Sequence, residues 1–148
     1  MKHQDAINFI LAGVGADWVV CSGRVPVSSW QPSSVAWYNN GPSRAFAPEI
    51  QRATALCPTS AAAPLNGLEW RAACAAFVRA VADAQIVHLG DLLLEDSVRG
   101  AFRREVGDGW EWDLAGARTD ITALLAATAA VRAVETLAEP EKHQTWFY

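Results

Sequence analysis

The stretch Leu65–Gln85 reads LNGLEWRAACAAFVRAVADAQ. Asn66 carries the short side-chain acceptor that suits a helix N-cap, and Glu69 stands where its carboxylate reaches back to the cap N–H. Leu65 before the cap and Trp70 four residues after it are placed to staple the first turn. Trp70, Ala73, Cys74, Phe77, Val78 and Val81 then recur at helical spacing, while Glu69, Arg79 and Asp83 fall off that face. The spacing predicts an amphipathic helix over 66–85, and its apolar face needs a second layer to pack on.

Working downstream, Gly90 breaks the pattern and Asp91 is placed to cap a new helix. Leu94, Val98, Ala101, Phe102 and Val106 form its apolar stripe, with Glu95 and Arg99 four apart on the wet side. The run QIVHL at 85–89 is short enough to be a buried strand instead. Gly107, Asp108 and Gly109 then make a turn. After it Trp110, Trp112 and Leu114 alternate with Glu111 and Asp113, the period of a strand with one apolar and one acidic face. A last helix is expected at 120–138, capped by Thr119 or Asp120. Arg132 and Glu135 are its only charges before Glu139, so it should be buried on most sides or meet another subunit. Pro140 stops it, and residues 140–148 form a tail ending in three aromatics.

Upstream, 4–13 reads as a short helix ended by Gly13 and Gly15. The run DWVVCS at 17–22 reads as a strand, 26–34 as a Pro- and Ser-rich loop, and SVAWYN at 34–39 as a second strand. A helix is expected at 48–56, with Pro48 in its first turn, and 58–65 reads as an internal linker. Together these predict a single α+β domain over 1–148: about four helices packed on a small sheet of two to four short strands, with the helices at 66–85 and 120–138 lying on that sheet.

The chain has 148 residues, 51% of them hydrophobic, which supplies a core for one domain. Alanine is frequent, at 28 residues, and arginine outnumbers lysine ten to two. The net charge of −4 is uneven: residues 1–66 carry four basic and three acidic side chains, residues 67–148 eight and thirteen. An acidic chain without a basic run argues against binding a nucleic-acid backbone. No window approaches 18 uncharged apolar residues, so no membrane span is expected, and the first 18 residues suit an amphipathic helix better than a signal peptide. Three widely spaced cysteines, Cys21, Cys57 and Cys74, make neither a disulfide framework nor a zinc knuckle, and a reduced, cytoplasmic setting is the expectation.

Motifs that carry chemistry are sparse. Cys21 lies at the end of a strand before Ser22, Gly23 and Arg24, a sensible place for a thiolate, but the phosphatase spacing of Cys to Arg is not met. His88, Asp91 and Glu95 would share a face of a continuous helix and hold a metal, but Gly90 interrupts them. Glu111 and Asp113 would lie about 7 Å apart on one strand face, in the range of an acid–base pair. The glycines of GVGADW are too few for a phosphate loop. No catalytic set, metal or cofactor is therefore expected.

The tryptophans stand out. There are seven, and Trp30, Trp110, Trp112 and Trp146 fall in loop, strand and tail positions where a large ring with one donor can anchor a partner. With Glu111 and Asp113 beside them, the expected function is a small acidic protein-binding module that engages a basic surface of another protein. Inhibitors, immunity proteins, phage-encoded antagonists and adaptors share that size and charge. A structural or oligomeric component using the last helix and the aromatic tail is the second reading. A small enzyme using Cys21 or a carboxylate pair is the third.

Overall fold

The junction at Asn66 organises the chain. In the computed structural model the described residues are 12–14, 17–19, 34–40, 42–56, 61–86, 88 and 90–138. Their elements run β1 (Ala12–Val14), β2 (Asp17–Val19), β3 (Ser34–Tyr38), a 3-10 turn (Pro42–Phe46), α1 (Ala47–Ala55), β4 (Ala61–Leu65), α2 (Gly67–Ala82), α3 (Leu92–Gly100), β5 (Arg103–Val106), β6 (Gly109–Trp112) and α4 (Thr122–Ala138). Asn66 joins β4 to α2. Its Oδ1 accepts from the N–H groups of Leu68 and Glu69, each at 3.0 Å, and Glu69 Oε2 accepts from the Asn66 N–H at 3.0 Å. Three donors of the helix start and its cap are thereby satisfied. Leu65 and Trp70, the expected staple, are both buried.

The α2 face that goes inward carries Trp70, Ala73, Cys74, Ala76, Phe77 and Ala80. Val81, in line with Trp70 and Cys74 by spacing, is instead 54% exposed, because the last turn runs past its cover among the described residues. The facing helix is α4. Ile121, just ahead of it, and Ala123, Leu124, Ala127, Ala129, Ala130 and Val131 join α2 in one core, and the alanines let the two helices approach closely. The expected burial of this helix on most sides is therefore met within the chain. Thr128 sits at its centre, fully buried, donating to the Leu124 carbonyl at 2.8 Å and accepting from Trp112 Nε1 at 3.0 Å.

The architecture of the described residues is α+β with four helices, against about four expected. The strands, however, form three separate pairs rather than one sheet. β3 and β4 pair in parallel from Ser34↔Ala61 to Tyr38↔Leu65, which requires the crossover that contains α1. Residues 61–65 were expected to be part of a linker. AAAPL has little strand propensity, and its pairing partner lies on a distant segment, so no local pattern marks it. Pro64 lacks an N–H and is tolerated because β4 has no neighbour on its other side among the described residues. β1 and β2 pair antiparallel, with Ala12 opposite Val19. Ala12 and Gly13 are thus strand, not the end of a helix; the rest of 4–13, and 20–22 of the second segment, lie outside the described residues.

α3 starts as expected, with Asp91 Oδ1 accepting from Leu93 and Leu94 N–H and Gly90 at φ +75°. It ends at Gly100, not at Val106. Phe102 and Val106 are four apart but also alternate through Arg104, and the second period wins because β6 offers a partner: Arg103 pairs with Trp112, Glu105 with Trp110 and Val106 with Gly109. Gly107 at φ +63° opens the two-residue turn, the position a type II′ hairpin reserves for glycine. Gly100 is buried where the 117–120 loop crosses the helix end, and a Cβ there would lie 2.0 Å from Thr119 Oγ1 and 2.8 Å from its Cβ. Gly100→Ala is expected to cost about 1–3 kcal/mol in urea unfolding by overpacking, and Thr119→Gly in the same chain should recover most of it. An additive pair of losses would count against the clash. No described helix is long and apolar enough to cross a membrane.

Candidate functional site

The β5–β6 ribbon holds four of the residues that the sequence singles out: Trp110, Glu111, Trp112 and Asp113. Their alternation is real, but both faces of β6 turn out to be covered. Trp112 is 8% exposed, packs edge-on against Phe77 with centroids 6.3 Å apart, and ties β6 to α4 through Thr128. Trp110 is half-buried, set edge-on to Trp112 at 5.0 Å, and the Arg103 guanidinium lies over its ring at 4.3 Å. Trp112 braces the ribbon from inside; Trp110, on the same face nearer the turn, sits half-buried at the edge of the core under Arg103.

Glu111 corrects the expectation of an acidic solvent face. It is 4% exposed and lies opposite Arg104, which donates through a guanidinium nitrogen to Oε1. Tyr38 of β3 donates its hydroxyl to Oε2 at 3.4 Å. The Tyr38 ring stacks on Trp70 with centroids 4.5 Å apart. Burial, and secondarily the negative Glu111 beside it, raises the Tyr38 hydroxyl above its ordinary range. Glu111 is therefore engaged inside the fold and does not present its charge to a partner. Asp113 turns back on its own loop, with Oδ1 accepting from Ala115 and Gly116 N–H at 3.1 and 3.0 Å. Neither carboxylate stands free as half of an acid–base pair.

The same holds for most acids in the described residues. Glu69, Asp91, Asp113 and Asp120 accept from backbone N–H groups at helix starts or turns. Glu49 pairs with Arg52, Glu95 and Asp96 with Arg99, and Glu135 with Arg132. Much of the acidic excess of the second half is thus consumed in capping helices and fixing turns. At the Phe102 end of the ribbon the exposed charges are arginines, while the exposed acids Glu105 and Asp108 lie towards its turn. Arg118 lies over the Phe102 ring at 5.0 Å, and Phe102 is 41% exposed. Phe102 and Arg103 are neighbours in extended chain and face opposite sides, so the two guanidinium–aromatic pairs lie on the two faces of the ribbon, with Arg104 on the Phe102 side. Leu114 is 37% exposed. The sequence reading missed Phe102, Arg103 and Arg118 as surface features. Arg118 lies 16 residues from Phe102, and only the return of the loop onto Gly100, through Arg118 N–H to the Gly100 carbonyl at 2.9 Å, brings the two together.

The remaining candidates fall into two groups. Trp30, Trp146, Cys21 and Cys57 lie outside the described residues. His88, Asp91 and Glu95 are not assembled: His88 Nδ1 accepts from the Gly90 N–H at 3.2 Å, Gly90 interrupts the chain direction, and Asp91 is a cap. Among the described residues no three His, Cys, Asp or Glu side chains are grouped to hold a metal ion. A hollow of about 160 Å³ between α3 and α4 is lined by Leu93, Asp96, Ser97, Thr119 and Asp120 among others. Its hydroxyls are engaged: Ser97 donates to the Asp120 carbonyl, Thr119 to that of Asp96 and Thr122 to the Asp120 carboxylate.

Cys74 is a core residue with no exposed surface, and burial pushes its thiol up to about 12 from the usual 9.0. A raised folded value makes the folded state hold its proton where the unfolded chain has lost it. This contribution to stability is full below pH 9 and disappears as pH rises towards 12. In a chain with Cys21 and Cys57 replaced by serine, iodoacetamide should label Cys74 only at the rate of unfolding. Fast second-order labelling of the folded protein at pH 8 would contradict this placement.

The chain matches no protein-family model, no curated protein and no solved structure.

Proposed function

We propose that this protein is a protein-binding module that meets its partner through the outer end of the β5–β6 ribbon. The observation that carries the reading is the pair of outward guanidinium–aromatic stacks, Arg103 on Trp110 and Arg118 on Phe102. Arginine and aromatic side chains dominate the energetics of protein contacts, and a guanidinium held flat on a ring is already ordered before binding. Its N–H edge stays available for a carboxylate. Trp110 keeps the anchoring role that the sequence suggests, with Trp112 as its internal brace. The charge presented changes sign, however, because Glu111 and Asp113 are engaged within the chain. The partner surface that fits is acidic, or apolar with acidic groups at its edge.

The test is site-directed photo-crosslinking in extract of the source organism. A benzophenone amino acid replacing Phe102 keeps the ring under Arg118 and is expected to capture one stoichiometric protein partner. The same group at Leu56, 73% exposed at the end of α1, should not capture it. A partner captured from position 56 and not from 102, or no stoichiometric partner from either, would overturn the reading.

A further inference from the structure

The outer edge of β5 is unpaired among the described elements, and its residues Arg103, Arg104 and Glu105 are all exposed. In an antiparallel ribbon alternate residues spend their backbone groups on the partner strand. The Asp113 N–H donates to the Phe102 carbonyl at 2.8 Å, which marks Phe102 and Asp113 as a bonded pair. With the register of the ribbon, Arg104–Glu111 and Val106–Gly109 are then the other bonded pairs. The N–H and C=O groups of Arg103 and Glu105 therefore point away from β6, towards water.

We propose that this edge binds a second copy of the chain, β5 against β5 in antiparallel orientation about a two-fold axis at Arg104. The charge pattern is what selects this occupant. Read against itself in that register, Arg103 lies opposite the partner's Glu105, and Glu105 opposite the partner's Arg103. The two residues whose backbone groups point outward are also the two that oppose each other, so the bonded pairs of the new ladder coincide with the opposite-charge pairs. The two Arg104 side chains meet at the axis, but each is drawn to its own buried Glu111, which offsets the repulsion. Such an interface is isologous and closes at two copies, giving a four-stranded sheet in the order β6, β5, β5, β6. Charged residues otherwise guard a strand edge against pairing; here their order permits a single register. This inference does not rest on the partner surface proposed above.

The experiment is sedimentation of the full chain over a concentration series up to about 1 mM, a range that suits an interface this small. Wild type is expected to pass from monomer to dimer as concentration rises. Arg103→Glu and Glu105→Arg each place like charges opposite each other and should remain monomeric. The double variant R103E/E105R restores complementarity with the signs exchanged and should dimerise again. Glu105 lies opposite Trp110, so Glu105→Gln is the control: it removes one half of each charge pair without adding a second guanidinium at the ring, and should weaken the dimer even where Arg103→Glu disturbs the ribbon. A wild-type chain that is monomeric throughout would overturn the proposal. So would a dimer that persists equally in both single variants, or a double variant that stays monomeric.

Discussion

Replacing Arg104 with alanine is expected to destabilise the protein markedly more than Glu111→Gln, which costs about 1 kcal/mol. The asymmetry follows from where each charge sits. The Glu111 side chain is 6% exposed and that of Arg104 56%, so the arginine can be hydrated alone and the carboxylate cannot. Removing Arg104 leaves a buried carboxylate with the Tyr38 hydroxyl as its remaining side-chain donor. Glutamine keeps the shape and can still accept from Arg104 through its amide oxygen. The double variant Arg104→Ala with Glu111→Gln separates loss of the pair from simple loss of packing: it should be less destabilised than Arg104→Ala alone, because no buried charge is left unpaired. Urea denaturation is the measurement. A double variant as unstable as the alanine variant, or Glu111→Gln as costly as Arg104→Ala, would show that the pair is not the reason.

Trp70→Ala is expected to cost about 3–5 kcal/mol, a large share of the about 5–15 kcal/mol available to a domain. Trp70 has no exposed surface, stacks on Tyr38 and belongs to the core that joins Leu65 to α2 and α4. Its indole Nε1–H has no hydrogen-bond acceptor among the described residues. Trp70→Phe therefore removes part of the ring without breaking a hydrogen bond, and should cost less than half as much as alanine. Trp112→Phe is the contrast, because it also removes the donor to Thr128. Urea denaturation of the three variants is the measurement. Trp70→Phe as damaging as Trp70→Ala would mean that the indole N–H carries an interaction this core does not contain.

The features legible in the sequence are those in which a side chain bonds its own neighbourhood. Asn66 with Glu69, Gly90 followed by Asp91, and the alternation through Trp110 and Trp112 each act within a few residues, so spacing alone announces them. β4 was not legible, because AAAPL becomes a strand only by pairing with β3 from 27 residues earlier, and alanine marks no face. The end of α3 was ambiguous, because Phe102 and Val106 satisfy two periods at once. The site was half legible. Period two shows that Trp and acid lie on opposite sides of β6, but not which side is wet. That depends on Tyr38, 73 residues away from Glu111. The acid content was likewise visible as a charge excess, whereas its use in caps and turns depended on geometry.

Binding at the outer end of the β5–β6 ribbon is the central claim, and one measurement separates it from binding at the acidic face that the sequence suggests. The captured partner is titrated against wild type, Arg118→Glu and Asp113→Asn. Asparagine can keep the side-chain bonds to Ala115 and Gly116 while removing the negative charge. The account predicts that Arg118→Glu weakens binding by about tenfold or more and that Asp113→Asn leaves it within about twofold. Binding lost in Asp113→Asn and retained in Arg118→Glu would contradict it.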